Sequence, residues 1–497
     1  MKVLIPIILC LFLQNVNAQS SYFNIKESQE YKDRFKSTLV RSVNTTEDNH
    51  TVVARTHREA LIFETFDENG IGKKIMIQPM EKKEVFAGVF FYDEKIKIFT
   101  VQSPSKVERI LNCHTYDIKK HEYEKIAMFK TTVEKRRSLF SGQGKRQTNF
   151  AISPSENLIA VATDNIKKNS NSYDVHVFDA QTLELVYSKN YYTNPEKHFK
   201  STDMVVDDAG TIYSIGKEYH SGKREKKNAK ANYTFVLNKI DQNNVDIKKI
   251  ELTENEFIKS LAMTFKQGNI NLIGYYSEKD AFGIKGISQF RINENDLTLL
   301  DKKKAELPIE VYKDIYGSKA DHKKGRELTS FDLDHILEDE EGNIYLVAEE
   351  FYVTQVYVSN GMNGGYMTTV YNYNDILITK FSPEGNLIWG RSIFKRSHSP
   401  SYNTFIKDDK LHVLLNSGKN LSEKQDGRLK VSKGWFESSA LYDFVYDKEG
   451  NLVYEKIQDN NKGKTRYVPY RGSYANGKFV MYNHSESKMR LMILESK

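Results

Sequence analysis

The residues best equipped for chemistry in this sequence are cations, gathered in four clusters. Lys135, Arg136, Arg137, Lys145 and Arg146 form the first, and Lys223, Arg224, Lys226, Lys227 and Lys230 the second. Lys319, Lys323, Lys324 and Arg326 form the third, and Lys419, Lys424, Arg428, Lys430 and Lys433 the fourth, with Trp435 beside it. Clustered ammonium and guanidinium groups sum into a potential that attracts anions. A fifth stretch is rich in tyrosine and glycine: Tyr352, Tyr357, Tyr366, Tyr371 and Tyr373. Such rings offer rigid, amphipathic contact area. The plain alternative is that the lysines solvate loops and the tyrosines pack a hairpin.

Other chemistry leaves no motif. His114 and His121 are expected at the surface. Asp332, Asp334 and His335 sit together, but strand alternation would put the aspartates on one face and His335 on the other, a poor metal trio. Asp339, Glu340, Glu341 and Asn343 make too short a run for a calcium loop and read as a hairpin turn. There is no nucleophile elbow, phosphate loop or dinucleotide fingerprint. No catalytic residue, metal or cofactor is assigned. Acids drawn from separate repeats would leave no local motif, so an enzyme stays as a second reading.

The elements that must position these residues are strands. In Asp375–Arg391, Ile376, Ile378 and Lys380 alternate with Leu377, Thr379 and Phe381, then Ser382-Pro383-Glu384-Gly385-Asn386 turns the chain into a second strand. LYDFVYDKEGNLVYEKI (Leu441–Ile457) repeats the pattern closely, and ALIFETFDENGIGKKIMI (Ala60–Ile77) loosely. Short strands recurring at intervals of about 45–65 residues indicate radial repetition. The expectation is an all-β chain, a single β-propeller of eight four-stranded blades, with seven as the alternative. The blades run Phe35–Gln78, Glu84–Thr131, Gln147–Tyr192, Phe199–Leu252, Phe257–Leu307, Phe331–Arg396 and Tyr402–Gln458. The tail Arg466–Lys497 supplies only three strands, and the segment Ser21–Glu27 is expected to add the fourth, closing the ring by pairing the chain ends. Outer strands such as TLLDKKKAEL are lysine-rich, which opposes edge-to-edge aggregation.

FAISPSENLIAVATDN followed by DVHVFDAQTLELVYS resembles the repeats of WD-repeat and YVTN-like propellers. KFSPEGNLIWGRSI and DFVYDKEGNLVYEKI resemble those of exported bacterial propellers, quinoprotein-like ones included. The resemblance covers nearly the whole mature chain and implies the fold, not an activity. No Trp-Asp pair ends the third strands and no quinoprotein tryptophan-docking repeat occurs, so the resemblance implies no quinone cofactor.

Residues 1–18 read as a signal peptide, with Lys2, an apolar Val3–Leu13 and a Val16-Asn17-Ala18 cleavage site, leaving 19–497 as the propeller. The product is expected to be periplasmic or secreted, a monomer with no transmembrane segment. It keeps one cysteine, Cys113, so no internal disulfide. Net charge is +7, a mild basic bias without any specific nucleic-acid motif. In propeller topology the long connections 132–146, 218–231, 305–330, 351–374 and 417–438 all emerge on one face. Function tends to sit where a rigid scaffold carries long loops. The expected function is a binding or scaffold protein recognising a protein or an anionic polysaccharide at the cell envelope. The second reading is an exported glycoside hydrolase or lyase with acids at the axial mouth.

Overall fold

A computed structural model describes residues 20–497 except 34, 36–37, 141–146, 167–170, 192–196, 229, 254–255, 267, 279–282, 330, 360–364, 432–437, 461–465 and 484–487. The segment 1–18 expected as a signal peptide, Lys145, Arg146, Lys433 and Trp435 thus lie outside the described residues. The fold is propeller-like and almost entirely β. Among the described residues, eight antiparallel sheets of four or five strands follow one another along the chain. Sheet one is Leu39–Thr45, Thr51–His57, Ala60–Phe66 and Gly72–Pro79. The first strands of sheets two to seven are Glu84–Tyr92, Phe150–Ile152, Phe199–Val206, Glu256–Ile258 (with Ala262–Lys266), Phe331–Glu338 and Tyr402–Lys407. Three short two-stranded ribbons complete the β-structure.

Burial follows strand position. Second strands such as Thr51–His57 are buried almost throughout, whereas the fourth strand Leu299–Glu306 alternates exposed and half-buried residues. Side chains with neighbours on both faces are mostly apolar or paired, and an outer edge can carry lysine. The turns are built by aspartate and glycine. In Asp447–Asn451 the Asp447 Oδ1 accepts the Glu449 and Asn451 N–H groups at 3.0 and 2.8 Å, and Gly450 has a φ of 83°. A Cβ at Gly450 would come within 2.8 Å of the Trp389 ring, whose Nε1 donates to Lys448 O at 2.9 Å. The turn therefore both reverses the chain and docks sheet seven on sheet six. Asp67, Asp207 and Asp339 accept the N–H four residues on in the same way.

Sheet eight takes strands from both ends of the chain. Ser473–Ala475, Lys478–Tyr482 and Leu491–Ser496 pair in order, and Phe23–Glu27 adds the fourth position antiparallel to Leu491–Ser496. Phe23 is buried with Phe405, Leu414 and Phe479. Behind this strand lies a buried polar network. Arg55 of sheet one donates to Asp33 at 2.5 Å, to Thr38 Oγ1 at 2.7 Å and to both oxygens of Glu64 at 2.7 and 3.0 Å. Tyr482 of sheet eight and Tyr31 donate to the same Glu64, at 2.6 and 3.0 Å. Burial alone would discharge Arg55, but the Glu64 and Asp33 carboxylates outweigh it and hold the guanidinium charged.

Two local expectations change. The connection 305–330, expected as a loop, contains α1 (Ile309–Tyr316) and α2 (Ala320–Lys323). Val311, Tyr312 and Ile315 give α1 a buried face. Asp314 anchors it to sheet six through two bonds from Arg391, at 2.8 and 2.9 Å. His114, expected at the surface, is fully buried; its Nε2 meets Glu84 and Thr100 at 2.9 Å and its Nδ1 meets Tyr123 at 2.8 Å. A third strand has neighbours on both faces, so an alternating histidine there is buried whichever way it points. Cys113 beside it is also buried, which pushes its thiol up to about 11.

Removing Arg55 would strand two buried carboxylates between the first and last sheets. Arg55→Ala is expected to lose about 3–5 kcal/mol of stability in chemical denaturation. A loss under about 1 kcal/mol, the range of an exposed ion pair, would show that the network does not join the chain ends.

Candidate functional site: a central cavity lined by first strands

A cavity of about 580 Å³ is walled by residues at or just before the first strands of six sheets. Sheet one contributes Arg41 and Asn44, sheet two Phe86 and Val89, and sheet three Asn149 and Phe150. Sheet six contributes Asp334 and His335, sheet seven Tyr402, and the entry to sheet eight Tyr470 and Arg471. Most of these positions lie toward the beginnings of their strands. That is the end at which connections from one sheet to the next, and from second to third strands, emerge.

Bulges aim the charged side chains. The pairing of Leu39–Thr45 shifts between Val40 and Ser42, so Arg41 is the extra residue. The same shift makes Ala87 extra in sheet two and Asp334 extra in sheet six. An extra residue breaks the two-residue alternation and re-aims its neighbours. This corrects the expectation that Asp334 and His335 face opposite ways: with Asp334 bulged, both line the cavity. Tyr402 donates to Asp334 Oδ2 at 2.7 Å, and its ring meets His335 edge-on at 5.5 Å. Burial, then the nearby Asp334 and Glu349 carboxylates, push the Tyr402 phenol far above its ordinary value.

The arginines are differently placed. Arg41 Nε donates to Thr56 Oγ1 at 2.8 Å, and its guanidinium lies 4.2 Å from the centre of the Phe86 ring. Among the described residues neither Arg41 nor Arg471 has a carboxylate partner, and burial is the chief cause that lowers both from the ordinary arginine value. The charge of Arg471 lowers Arg41 further. Two half-buried cations repelling one another across a cavity form a site that an anion would relieve. Arg471 is carried by a short 3-10 turn, Pro469–Arg471, which Asn403 holds by donating to Pro469 O and Gly472 O at 3.1 and 2.7 Å.

The residues singled out from sequence lie apart from this cavity, in the connections. Arg136 and Arg137 are exposed; Arg137 pairs with Glu134 at 3.9 Å and its carbonyl accepts from Arg109. Lys223, Arg224, Lys226 and Lys227 are exposed around the ribbon formed by Lys226–Lys227 and Lys230–Ala231. Lys323 lies 5.7 Å from the Tyr316 ring, and Lys324 is exposed after α2. Arg428 is engaged by Asp426 and by Ile315 O, at 2.5 and 3.0 Å. The tyrosine segment continues the inner strands of sheet six as a long hairpin, Ile344–Ser359 with Gly365–Phe381. Tyr352 OH accepts from Asn374 at 3.0 Å, Tyr373 packs on Phe351 at 4.9 Å, and Tyr371 is exposed. Tyr357 and Tyr366 pair with Met367 and Val358 through the backbone. Sequence reasoning missed Arg41 and Arg471 because each is a lone arginine outside any cluster.

No protein-family model and no curated protein matches this chain. Among solved structures it is similar to the WD40 domain of SCAP from fission yeast, at 6% identity and a TM-score of 0.42, covering 95% of this chain and 98% of that one. It is similar to the polysaccharide lyase Uly1, at 11% identity and a TM-score of 0.38, covering 82% and 89%. It is also similar to a prolyl endopeptidase, at 10% identity and a TM-score of 0.35, covering 84% of this chain and 55% of that one. What the chain can do is read from its own side chains.

One more group sits at the root of the tyrosine hairpin. Burial pushes the Asp375 carboxyl up to about 7; Arg396, 3.5 Å away, works against the rise, Glu350 adds to it, and Lys395 lowers it slightly. A raised carboxyl favours the folded state fully below its unfolded value. That contribution fades as pH rises through about 7. Asp375→Asn is therefore expected to leave the melting temperature nearly unchanged at pH 4 and to raise it by a few degrees at pH 8. Equal shifts at both pH values in thermal melts would remove Asp375 as the cause.

Proposed function

We propose that the chain is an exported, monomeric β-propeller of eight blades whose ring the strand Phe23–Glu27 closes. Its function is to bind a ligand carrying an anionic group, seated between Arg41 and Arg471 in the axial cavity. The observation that carries this reading is the convergence of those two arginines, without carboxylate partners among the described residues, on one half-buried cavity. The exposed lysines of the connections share the cavity's side and would speed an anion's arrival rather than hold it.

The alternative enzymatic reading fares worse on the same cavity. Glycoside hydrolysis uses two carboxylates about 5–9.5 Å apart, and Asp334 is the one carboxylate in the described lining. A tyrosine base would need a lowered pKa, whereas Tyr402 is pushed the other way and its hydroxyl donates to Asp334.

Sulfate is a simple probe. At a concentration of about 100 times its dissociation constant it is expected to stabilise the protein by about 2.7 kcal/mol over chloride at matched ionic strength. Arg41→Gln and Arg471→Gln should each abolish this shift. Either change should leave the melting temperature of the ligand-free protein equal or higher, because a repelling pair is removed. Loss of stability without loss of the sulfate shift would make the arginines structural.

The steering lysines have their own test. Reversing Lys223, Arg224, Lys226 and Lys227 to glutamate should leave folding intact and weaken retention on heparin. Reversing Lys302, Lys303 and Lys304 should weaken it less, since Lys304 already pairs with Glu256 and Lys302 and Lys303 donate to backbone carbonyls. Equal losses would mean that the basicity is diffuse.

A further inference from the structure

A second cavity, of about 530 Å³, adjoins the first and shares Val40, Tyr470 and Arg471 with it. It lies over the seam where sheets seven and eight meet sheet one, on the same side as the first. Arg466 lines it, is exposed, and has no ion pair among the described residues. Three arginines therefore follow one continuous trough: Arg41 in the central cavity, Arg471 on the shared wall and Arg466 in the second.

The trough's amides are already occupied. Asn416 donates to Tyr467 O and accepts from Asn460, both at 2.9 Å. Asn483 donates to Lys488 O at 2.7 Å and accepts the Arg490 N–H at 2.9 Å. The groups that can meet an anionic ligand include the three guanidinium groups and the Tyr470 ring, while Asp334, the one carboxylate of the described lining, is held by the Tyr402 hydroxyl.

We propose, resting on the anion-binding reading above, that the ligand is an acidic oligosaccharide. One sugar carboxylate or sulfate sits between Arg41 and Arg471, and another farther along the chain reaches Arg466. Guanidinium planes pair with carboxylate or sulfate oxygens in bidentate fashion, and the flat face of Tyr470 suits the apolar face of a sugar ring. An acidic peptide would bind such a trough by adding a strand to a free sheet edge, which needs an unbroken ladder of backbone groups. Three of the six first strands around this cavity are interrupted by bulges, at Arg41, Ala87 and Asp334, and two others, Phe150–Ile152 and Ser473–Ala475, are only three residues long, so the inner wall offers a regular ladder only along Tyr402–Lys407.

The test is calorimetric titration of the full mature chain with a uronic acid monomer, a uronate tetrasaccharide and a glutamate tetrapeptide, at fixed ionic strength. The tetrasaccharide is expected to bind at least about tenfold tighter than the monomer, the scale of one added charge-assisted contact. Arg466→Gln should remove that gain and leave monomer binding unchanged, while Arg471→Gln should lose both. Equal affinity for monomer and tetrasaccharide, or a tetrapeptide that binds as tightly as the tetrasaccharide, would overturn the proposal. The sulfate shift separates the two readings. If it persists while the length dependence is absent, only the oligosaccharide inference falls; if sulfate produces no shift, the anion site itself falls.

Discussion

A buried polar network centred on Glu64 joins the two ends of this chain, with Arg55 on one side of the carboxylate and Tyr482 on the other. Arg55 belongs to the first complete sheet, its partners Asp33 and Thr38 to the segment before it, and Tyr482, which shares Glu64, to the last sheet. Burying a charge costs several kcal/mol unless partners and hydrogen bonds replace its water. Here two carboxylates and a hydroxyl occupy the guanidinium, and two tyrosines complete the shell of Glu64. The Arg55 pairs form within residues 33–64, and the Tyr482 hydroxyl completes the shell of Glu64 only when the first and last sheets are side by side.

The functional proposal depends on the same seam. Arg41 lies on the first strand of sheet one and Arg471 at the entry to sheet eight, so their approach exists only if those sheets are neighbours. Thr38 takes part in both, accepting from Arg55 and lining the second cavity. Near this junction lie one arginine whose charge is compensated by two carboxylates and two that lack a carboxylate partner among the described residues. Stability accounts for Arg55. It does not account for Arg41 and Arg471, since burial acts against the charged form of both and the charge of Arg471 acts further against that of Arg41.

Much of the fold was legible because its determinants are local. The Asp-x-x-Gly turns, the alternation within strands and the lysines of fourth strands are each readable within a few residues. Pairing of Phe23–Glu27 with Leu491–Ser496 was also inferable, because a tail with three strands lacks a fourth and an unassigned extended segment stood at the other end. The central cavity was not legible in this way. Its residues come a few at a time from six sheets, and Arg41 sits in LVRSVNT with nothing beside it to mark a site. The clusters that did stand out mark the connections, where lysine is common because it is well solvated. Helix α1 was missed for a different reason: its buried residues, Val311, Tyr312 and Ile315, cover a single stripe within eight residues, too short for the period to declare itself.

The bulges explain why sequence reasoning went astray at Asp334 and why the cavity has its present chemistry. With regular alternation, a first strand offers every second side chain to the cavity, and neighbours such as Asp334 and His335 could not both line it. One extra residue suspends that rule for a few positions without unpairing the rest of the strand. The flanking ladder stays intact, as the continued pairing of Val43 with Val53 and of Leu337 with Tyr345 shows. A bulge is thus a low-cost means of turning a charged group toward the cavity from a first strand. It also removes the regular backbone edge that would otherwise invite strand addition. The feature that turns Arg41 toward the cavity is therefore the same feature that makes this inner wall a poor partner for a peptide, and the two effects together narrow what the cavity can hold to a ligand recognised by charge and ring faces.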